Sequence, residues 1–498
     1  MDISEKQFER EIESFLISDK GGYEQFSGET ENGWVHNRYL DIGKCIYMDP
    51  LVEFIEKTQP KEWAKYTKYY GDKSKEKLYH RLQQCIANDG LIHVLRNGIQ
   101  DMGTKLRICY FKPESELNEE AIKRYNANIL GCSRQFRYST NNTNTIDMVL
   151  SVNGIPVVAL ELKNQFKGQD YTNAIAQYKN DRNSKEFAFR LNNRFLVYFA
   201  VDLNQVWMTT QLKDSATYFM PFNMGSNGAG VNGGAGNPHN PNGYDTSYLW
   251  EEVLQRDSLL DILHRFITYT KTKEEETKNG ITKTVTKEKI IFPRYHQYDV
   301  VKKVIADVKA NGAGSSYLIE HSAGSGKSNS IAWIAYRLAS LHNEENDPIF
   351  NSVIVVTNRI VLDSQLQDTI NSFEHTPGLV EAIDEKKRSR GLADAINDKK
   401  RIIICTIQKF LFAYKDMDAY KGRNFAIIID EAHQGQSGES ARTLRRALID
   451  FDDAVKKYAE EEGISPDDVD LTSDFVLSVL GQGNHANQSF FAFTATPK

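Results

Sequence analysis

The sequence predicts an α/β chain in two parts: a mixed sheet flanked by helices, then a doubly wound parallel sheet. Three observations predict it. Residues 146–163 hold two apolar stretches around Asn153-Gly154, the strongest short-range signal for a β-hairpin. From residue 317 onward, short apolar stretches (317–319, 353–356, 402–405, 425–429, 491–493) recur, each ending in polar residues. That is how a parallel sheet reads where its carboxyl edge carries the chemistry. Between the two patterns, residues 270–289 are charged and threonine-rich, with Asn279-Gly280 at the centre, and mark a solvated hairpin or connector.

The bulk composition is that of a globular protein, 40% hydrophobic and 26% charged, in 498 residues with net charge −6. A nucleic-acid surface would therefore be a local groove, since the whole chain is not basic. Five scattered cysteines without metal spacing argue against a disulfide scaffold and fit a reducing cytoplasm. The polar, acidic first residues are not a signal peptide, and no apolar stretch approaches the ~20 residues that span a bilayer.

Residues 4–17 predict an amphipathic helix capped by Ser4, with Phe8, Ile12, Phe15 and Leu16 on one face. Glu9, Glu11 and Glu13 are expected on or beside its other, solvated face, an acid leaning into a metal site being the alternative. Residues 30–100 read as mostly helical, with Leu51, Phe54 and Ile55, then Leu78, Leu82 and Ile86, at helical spacing. Strands are expected at 105–111 and 132–138, where Arg134 and Arg137 read as surface charges. The hairpin follows. Asp147 opens its first strand, and Glu161 and Lys163 close the second on one face, so Asp147 lies near Glu161 at the open end. Two carboxylates brought together repel unless a cation sits between them, and hard oxygen ligands suit Mg²⁺. Such a metal activates water against a phosphodiester, with Lys163 placed to orient that water or offset charge. Residues 171–182 predict a helix carrying Gln177 and Tyr178, and 194–201 and 205–209 further strands. Residues 220–244 are a Gly-, Asn- and Pro-rich irregular loop, and 259–269 a helix.

In the second part, residues 317–319 predict a buried strand and 329–339 a helix. The turn between them, Ser322-Ala323-Gly324-Ser325-Gly326-Lys327-Ser328, forms a phosphate cradle. Gly324 and Gly326 let the backbone approach, Lys327 reaches the β/γ-phosphates, and Ser328 binds Mg²⁺. His321 stands where the first glycine of G-x-x-x-x-G-K-[ST] would be. Asp430 and Glu431 end a buried strand, where Asp430 would hold Mg²⁺ and Glu431 would orient the water that attacks ATP. Arg359, Thr406 and Gln408 end or follow other strands, positions suited to sequence-independent phosphate contacts. Thr494-Ala495-Thr496 ends the last.

The order of cradle, Asp430-Glu-Ala-His433 and Thr494-Ala-Thr496 resembles the first RecA-like lobe of superfamily-two helicases and translocases. Gln297, thirty residues before Lys327, resembles the glutamine with which they read adenine. Asp147 with Glu161-Leu-Lys163 resembles the core of PD-(D/E)xK nucleases, and Gln177 stands at the place of a Gln-x-x-x-Tyr motif, here with Asp181 at the fourth position and Tyr178 adjacent; the resemblance implies a DNA contact at Gln177 or Tyr178, with plain helix-surface polarity as the alternative. The stretch 222–238, with 246–250, resembles a loop of the motor–nuclease subunits of type I restriction enzymes. Together these resemble the N-terminal part of an HsdR-type R subunit of the DEAH-motif kind. The resemblance implies a nuclease domain over 1–259, a connector over 260–289 and a first motor lobe over 290–498. It further implies Mg²⁺ and ATP as cofactors, double-stranded DNA as substrate, and modification (methyltransferase) and specificity subunits as partners, away from any membrane. The sequence stops two residues after Thr496, so a second motor lobe is not expected within it, and sustained ATPase is not expected of these residues alone. The alternatives are a helicase-nuclease of repair or phage defence without methyltransferase partners, and a non-catalytic docking module.

Overall fold

The computed structural model describes residues 5–114, 117–165, 168–278, 281–322, 324–357, 366–371, 379–383, 390–406, 410, 422–430, 459, 465 and 487–494. The chain divides into two compact units, Met1–His296 and Gln297–Lys498.

In chain order the first unit runs α1 (Glu5–Leu16), β1 (Glu24–Gln25) and a short hairpin of β2 (Ser27–Glu29) and β3 (Val35–Asn37). Four helices follow, α2 (Met48–Thr58), α3 (Pro60–Tyr70), α4 (Ser74–Asp89) and α5 (Leu91–Asn97), then β4 (Ile99–Asp101), β5 (Thr104–Leu106) and α6 (Glu119–Asn126). The centre is β6 (Leu130–Arg137), β7 (Thr145–Val152), β8 (Ile155–Leu162), α7 (Tyr171–Asn180), β9 (Val197–Val201) and β10 (Val206–Thr209). β11 (Met220–Pro221), α8 (Arg256–Asp261) and the hairpin β12 (Thr268–Lys278) and β13 (Ile281–Ile291) complete it.

Seven strands form one mixed sheet in the order β1-β6-β7-β8-β9-β10-β11. β1 with β6 and β8 with β9 pair parallel, and the other neighbours pair antiparallel. Every residue of β8, and all of β7 except Thr145, is buried, as expected of strands covered on both faces. The turn between them has φ +48° at Asn153 and +80° at Gly154, the doubly left-handed conformation that an Asn-Gly pair supplies. A Cβ on Gly154 would fall 2.0 Å from the Tyr47 carbonyl, so only glycine fits. The Asn153 amide donates to Ile108 O and Asn128 Oδ1, while its oxygen accepts from Ile129 N. The tip is thereby anchored, and the register that brings Asp147 to Glu161 follows from it.

Two expectations about elements are revised, and the charged stretch takes the hairpin form, one of the two expected of it. Strand structure after Gly103 stops at Leu106 and does not reach residue 111. The stretch 259–269 is helical only to Phe266, and the β-branched Thr268 starts β12. The charged stretch forms a hairpin paired from Thr268↔Ile291 to Lys278↔Ile281.

α9 (Tyr295–Asn311) leads into the second unit, which contains β14 (Ser316–Glu320), α10 (Lys327–Ser340), β15 (Ser352–Thr357), β16 (Val380–Ala382), the helix Arg390–Asn397, β17 (Ile402–Thr406), β18 (Phe425–Ile429) and β19 (Gln488–Thr494). The strands form one sheet in the order β14-β19-β18-β15-β17-β16, every pair parallel. The four interior strands are wholly buried. β14 departs from the expected buried strand: it lies at the sheet edge, and Leu318 is 61% exposed while Ile319 is buried. The acidic stretch 450–483 lies outside the described residues except for Ala459 and Ser465.

Candidate functional site

Met148 pairs with Leu160 across β7 and β8, so Asp147 and Glu161 occupy the next facing positions at the open end. Asp147 is 7% exposed, and its Oδ2 accepts from the Leu162 N–H at 2.8 Å. Glu161 is fully buried, and its Oε1 accepts two bonds from Arg182, from Nε at 3.0 Å and Nη2 at 2.7 Å. Its Oε2 accepts no hydrogen bond from an N–H donor and faces the Asp147 carboxyl. Burial first, and the Asp147 charge second, push the Glu161 carboxyl well above the usual range, with Arg182 pulling the other way. A buried carboxylate oxygen without a donor, beside a second carboxylate, is what a cation would satisfy. Among the described residues no group of three or more His, Cys, Asp or Glu forms a metal cage. The two carboxylates fit a hard cation that keeps water in its other positions.

Lys163 follows β8 directly. Its Nζ lies 3.6 Å from Asp147 Oδ2, 2.8 Å from Glu5 Oε1 and 3.0 Å from Leu162 O. Burial works against its charge, but Asp147 and Glu5 outweigh that and raise its pKa, so the ammonium stays protonated.

The sequence reading missed the acids of α1. Glu9 and Glu13 are 2% and 5% exposed, not on a solvated face. Each follows an apolar residue of the stripe, Phe8 or Ile12, by about 100° of helical turn, so both border the packed face. Glu13 meets Arg134 at 2.8 Å, and Arg134 also holds Glu29 at 2.7 Å. Arg134 is 3% exposed, which corrects its reading as a surface charge. Glu9 Oε1 accepts from Gln135 Nε2 at 2.9 Å. Gln135 has φ +48°, a local break in β6 that lies across from Asp147. Arg182 was also unmarked. Two residues beyond α7, it reaches back 21 positions to Glu161, a contact that no local spacing announces.

α7 begins with a capping box, Asp170 Oδ1 accepting from Thr172 N and Asn173 Oδ1 from Asp170 N. Gln177 is half-buried on this helix. Tyr178 is fully buried between Tyr198 and Phe219, and its hydroxyl donates to Phe199 O at 3.3 Å. This corrects the expectation of a DNA contact at Tyr178: about 100° round the helix from Gln177, it points into the sheet.

In the second unit, the strand ends gather on one edge. His321 N donates to Thr494 O, and Asp430 N donates to Val356 O. Thr406 closes β17 and is 7% exposed. Gly324 has φ +75° with nothing within 4 Å of where a Cβ would stand, an open approach at the middle of the cradle. Gly326, at φ +84° and ψ +35°, caps α10, whose first residues are Lys327 and Ser328. Ser325 Oγ bonds His321 Nδ1 at 2.9 Å, so the residue in the first glycine's place ties the loop to β14. Gln297 Nε2 donates to Gly326 O at 2.9 Å and is 3.3 Å from Ser325 O, which puts the candidate adenine reader on the cradle backbone. Lys327 Nζ stands 3.0 Å from Asp430 Oδ1, so the two residues expected to hold phosphate and Mg²⁺ converge. Ser322 is exposed next to the cradle. Ala323, Arg359, Gln408 and Glu431 lie outside the described residues.

Residues 3–228 match the family model of the type I restriction enzyme R protein N terminus, and residues 296–452 match that of the SWI2/SNF2 ATPase. A protein of Methanocaldococcus jannaschii, provisionally named the type I restriction enzyme MjaVIIIP endonuclease subunit, is 23% identical over 415 residues, 76% of this chain and 36% of its own length. The type I restriction enzyme HindI endonuclease subunit of Haemophilus influenzae is 25% identical over 304 residues, 59% of this chain and 26% of its own. A solved fragment assigned to an HsdR subunit of a type I restriction enzyme from Vibrio vulnificus YJ016 superposes with TM-score 0.23 at 13% identity, over 71% of this chain and 46% of the fragment, too loosely to build on. The chain spans about a third or less of the length of these curated relatives.

Proposed function

This chain belongs to the HsdR-type R proteins of type I restriction enzymes, and from that premise we propose that it is a Mg²⁺-dependent double-stranded DNA endonuclease coupled to ATP-driven translocation. The observation that carries the cleavage reading is the pairing of Asp147 with Glu161, whose buried Oε2 lacks a donor, beside the Lys163 ammonium. Asp147 and Glu161 would hold the metal, which when bound supplies Lewis acidity and an activated water. Lys163, kept charged by Asp147 and Glu5, offsets the negative charge that grows on the phosphorane and orients the attacking water. Gln177, half-buried on α7, contacts the DNA backbone with its exposed part.

In the second unit the cradle 322–328 binds the ATP phosphates through backbone N–H groups and Lys327. Ser328 and Asp430 would hold its Mg²⁺, and Glu431 orients water on the γ-phosphate. Gln297 reads adenine, and Arg359, Thr406 and Gln408 follow the DNA backbone. The unit boundaries proposed are 1–259 for the nuclease, 260–289 for the connector and 290–498 for the lobe. Within the whole protein this region works in the cytoplasm with modification and specificity subunits, which supply sequence recognition. No helix among the described residues is long and apolar enough to cross a membrane.

The test is Asp147→Ala and Lys163→Ala in the full-length protein assembled with modification and specificity subunits. Both are expected to keep DNA-stimulated ATPase and lose Mg²⁺-dependent cleavage. Either variant cutting at the wild-type rate would overturn the cleavage assignment. Methyltransferase and specificity subunits co-purifying with the native protein would separate this reading from a solitary helicase-nuclease.

A further inference from the structure

Resting on the cleavage reading above, we propose that Arg182 is a positioning residue of the nuclease centre. Its guanidinium fixes one oxygen of Glu161 so that the other is presented to the divalent cation beside Asp147. The side chain is 3% exposed and stacks its guanidinium 5.4 Å over the Tyr138 ring. Both contacts to Glu161, from Nε at 3.0 Å and Nη2 at 2.7 Å, converge on Oε1. Nη2 also donates to Thr145 O at 2.7 Å, on β7 two residues before Asp147. One guanidinium thus ties the strand that carries Asp147 to the carboxylate that β8 contributes.

The pattern of contacts separates this role from simple neutralisation. An arginine that only pairs a buried carboxylate does best fork to fork, one nitrogen to each oxygen. Here both nitrogens serve a single oxygen, and Oε2 takes no nitrogen donor and is left facing the Asp147 carboxyl, although Glu161 has no solvent access. A purely structural tie between the end of α7 and the sheet has no need of a bare oxygen. A metal ligand does, and partners of this kind fix a ligand's orientation and tune its affinity.

The experiment measures Mn²⁺ binding by calorimetry at fixed pH, using the full chain without nucleotide and in an Asp430→Asn background so that the nucleotide site contributes no ion. Arg182→Gln is expected to bind Mn²⁺ about 10- to 100-fold more weakly, the range seen when a ligand's outer partner is removed. Arg182→Lys keeps the charge but loses the fork, and is expected to fall between Arg182→Gln and wild type. Circular dichroism melts establish which variants fold. If Arg182→Gln does not, the comparison of Arg182→Lys with wild type decides. A folded Arg182→Gln, or failing that Arg182→Lys, with wild-type Mn²⁺ affinity while Glu161→Gln loses binding would overturn the positioning role. Wild-type affinity in Glu161→Gln would instead overturn the metal site itself.

Discussion

Glu9 of α1 and Asp147 of β7 share one donor: Nε2 of Gln135 lies 2.9 Å from Glu9 Oε1 and 3.5 Å from Asp147 Oδ1. Burial, and then the charge of Asp147, push the Glu9 carboxyl up to about 8. A third acid therefore stands behind the pair that would hold the metal, neutral at pH 7 and charged above about 8, where its field favours a cation. Glu9→Gln removes that ionisation and keeps the amide contact. Half-saturation by Mg²⁺ in a cleavage assay of the assembled enzyme above about pH 8 should rise about three- to tenfold, roughly 1 kcal/mol of attraction across a partly buried site, with little change at pH 7. ATPase should not change. An unaltered Mg²⁺ midpoint would leave Glu9 as packing alone.

The difference between Asp147 and Glu9 shows what a sequence discloses. Asp147, Glu161 and Lys163 were legible because one short turn sets their register: Asn153-Gly154 closes the hairpin, and counting outward from it places the three at the open end. Five strands of the parallel sheet were legible for a related reason, since each announces itself as an apolar run with polar residues at its end, whereas the short edge strand β16 gave no such signal. Glu9, Gln135, Arg134 and Arg182 were not. Their contacts span 126 positions for Glu9 with Gln135, 12 for Gln135 with Asp147, 105 for Arg134 with Glu29 and 21 for Arg182 with Glu161, through tertiary packing that no local spacing encodes. Glu9 and Glu13 looked solvated because charge suggests a wet face. The structure shows instead that a buried arginine and glutamine on β6 were waiting for them.

The cradle makes a second case. Gly324 and Gly326 both hold left-handed backbone, but only at Gly326 would a Cβ meet a neighbour, Gln297 Nε2 at 2.5 Å. Alanine at either position should cost about 1 kcal/mol for the left-handed conformation. Gly326→Ala must in addition displace Gln297 from its bond to Gly326 O, adding about 1 kcal/mol. Combining Gly326→Ala with Gln297→Ala should recover part of that second cost. Thermal melts of the single and double variants would give the coupling. Additive losses would show that Gln297 does not brace the cradle.

Stability in acid should depend on Glu29. Hydrogen bonds from Arg10 first, then Arg134, hold its carboxyl down at about 2, against an ordinary 4.5. A carboxyl lowered on folding stabilises the native state above the unfolded pKa and loses that contribution as pH falls through the folded one. The window is therefore about 4.5 down to about 2. Glu29 is partly exposed, so solvent screening reduces the effect, and Glu29→Gln should cost about 1 kcal/mol at pH 7. Urea unfolding of both proteins in steps from pH 7 to 3.5 should show the gap narrowing below 4.5. A gap independent of pH would mean the loss comes from packing.

Neighbours on α7 should separate folding from DNA contact. Tyr178 is enclosed by Tyr198 and Phe219, and its hydroxyl makes one long bond to Phe199 O. Burial pushes that phenol well above its usual pKa, so it stays neutral and only its ring volume matters. Tyr178→Phe should cost no more than about 1 kcal/mol, the worth of one modest hydrogen bond. Tyr178→Ala should cost about 3–5 kcal/mol, because the cavity falls between packed rings on a buried sheet. Neither should change the salt dependence of DNA binding in protein that remains folded, since Tyr178 has no surface to offer. Gln177→Ala should do the opposite, leaving the melting curve in place while weakening DNA binding a few-fold at low salt, as loss of one backbone contact does. Urea melts paired with fluorescence anisotropy on duplex DNA would check both variants. A Tyr178→Phe protein that folds normally but binds DNA poorly would show that α7 turns its inner face outward when DNA engages.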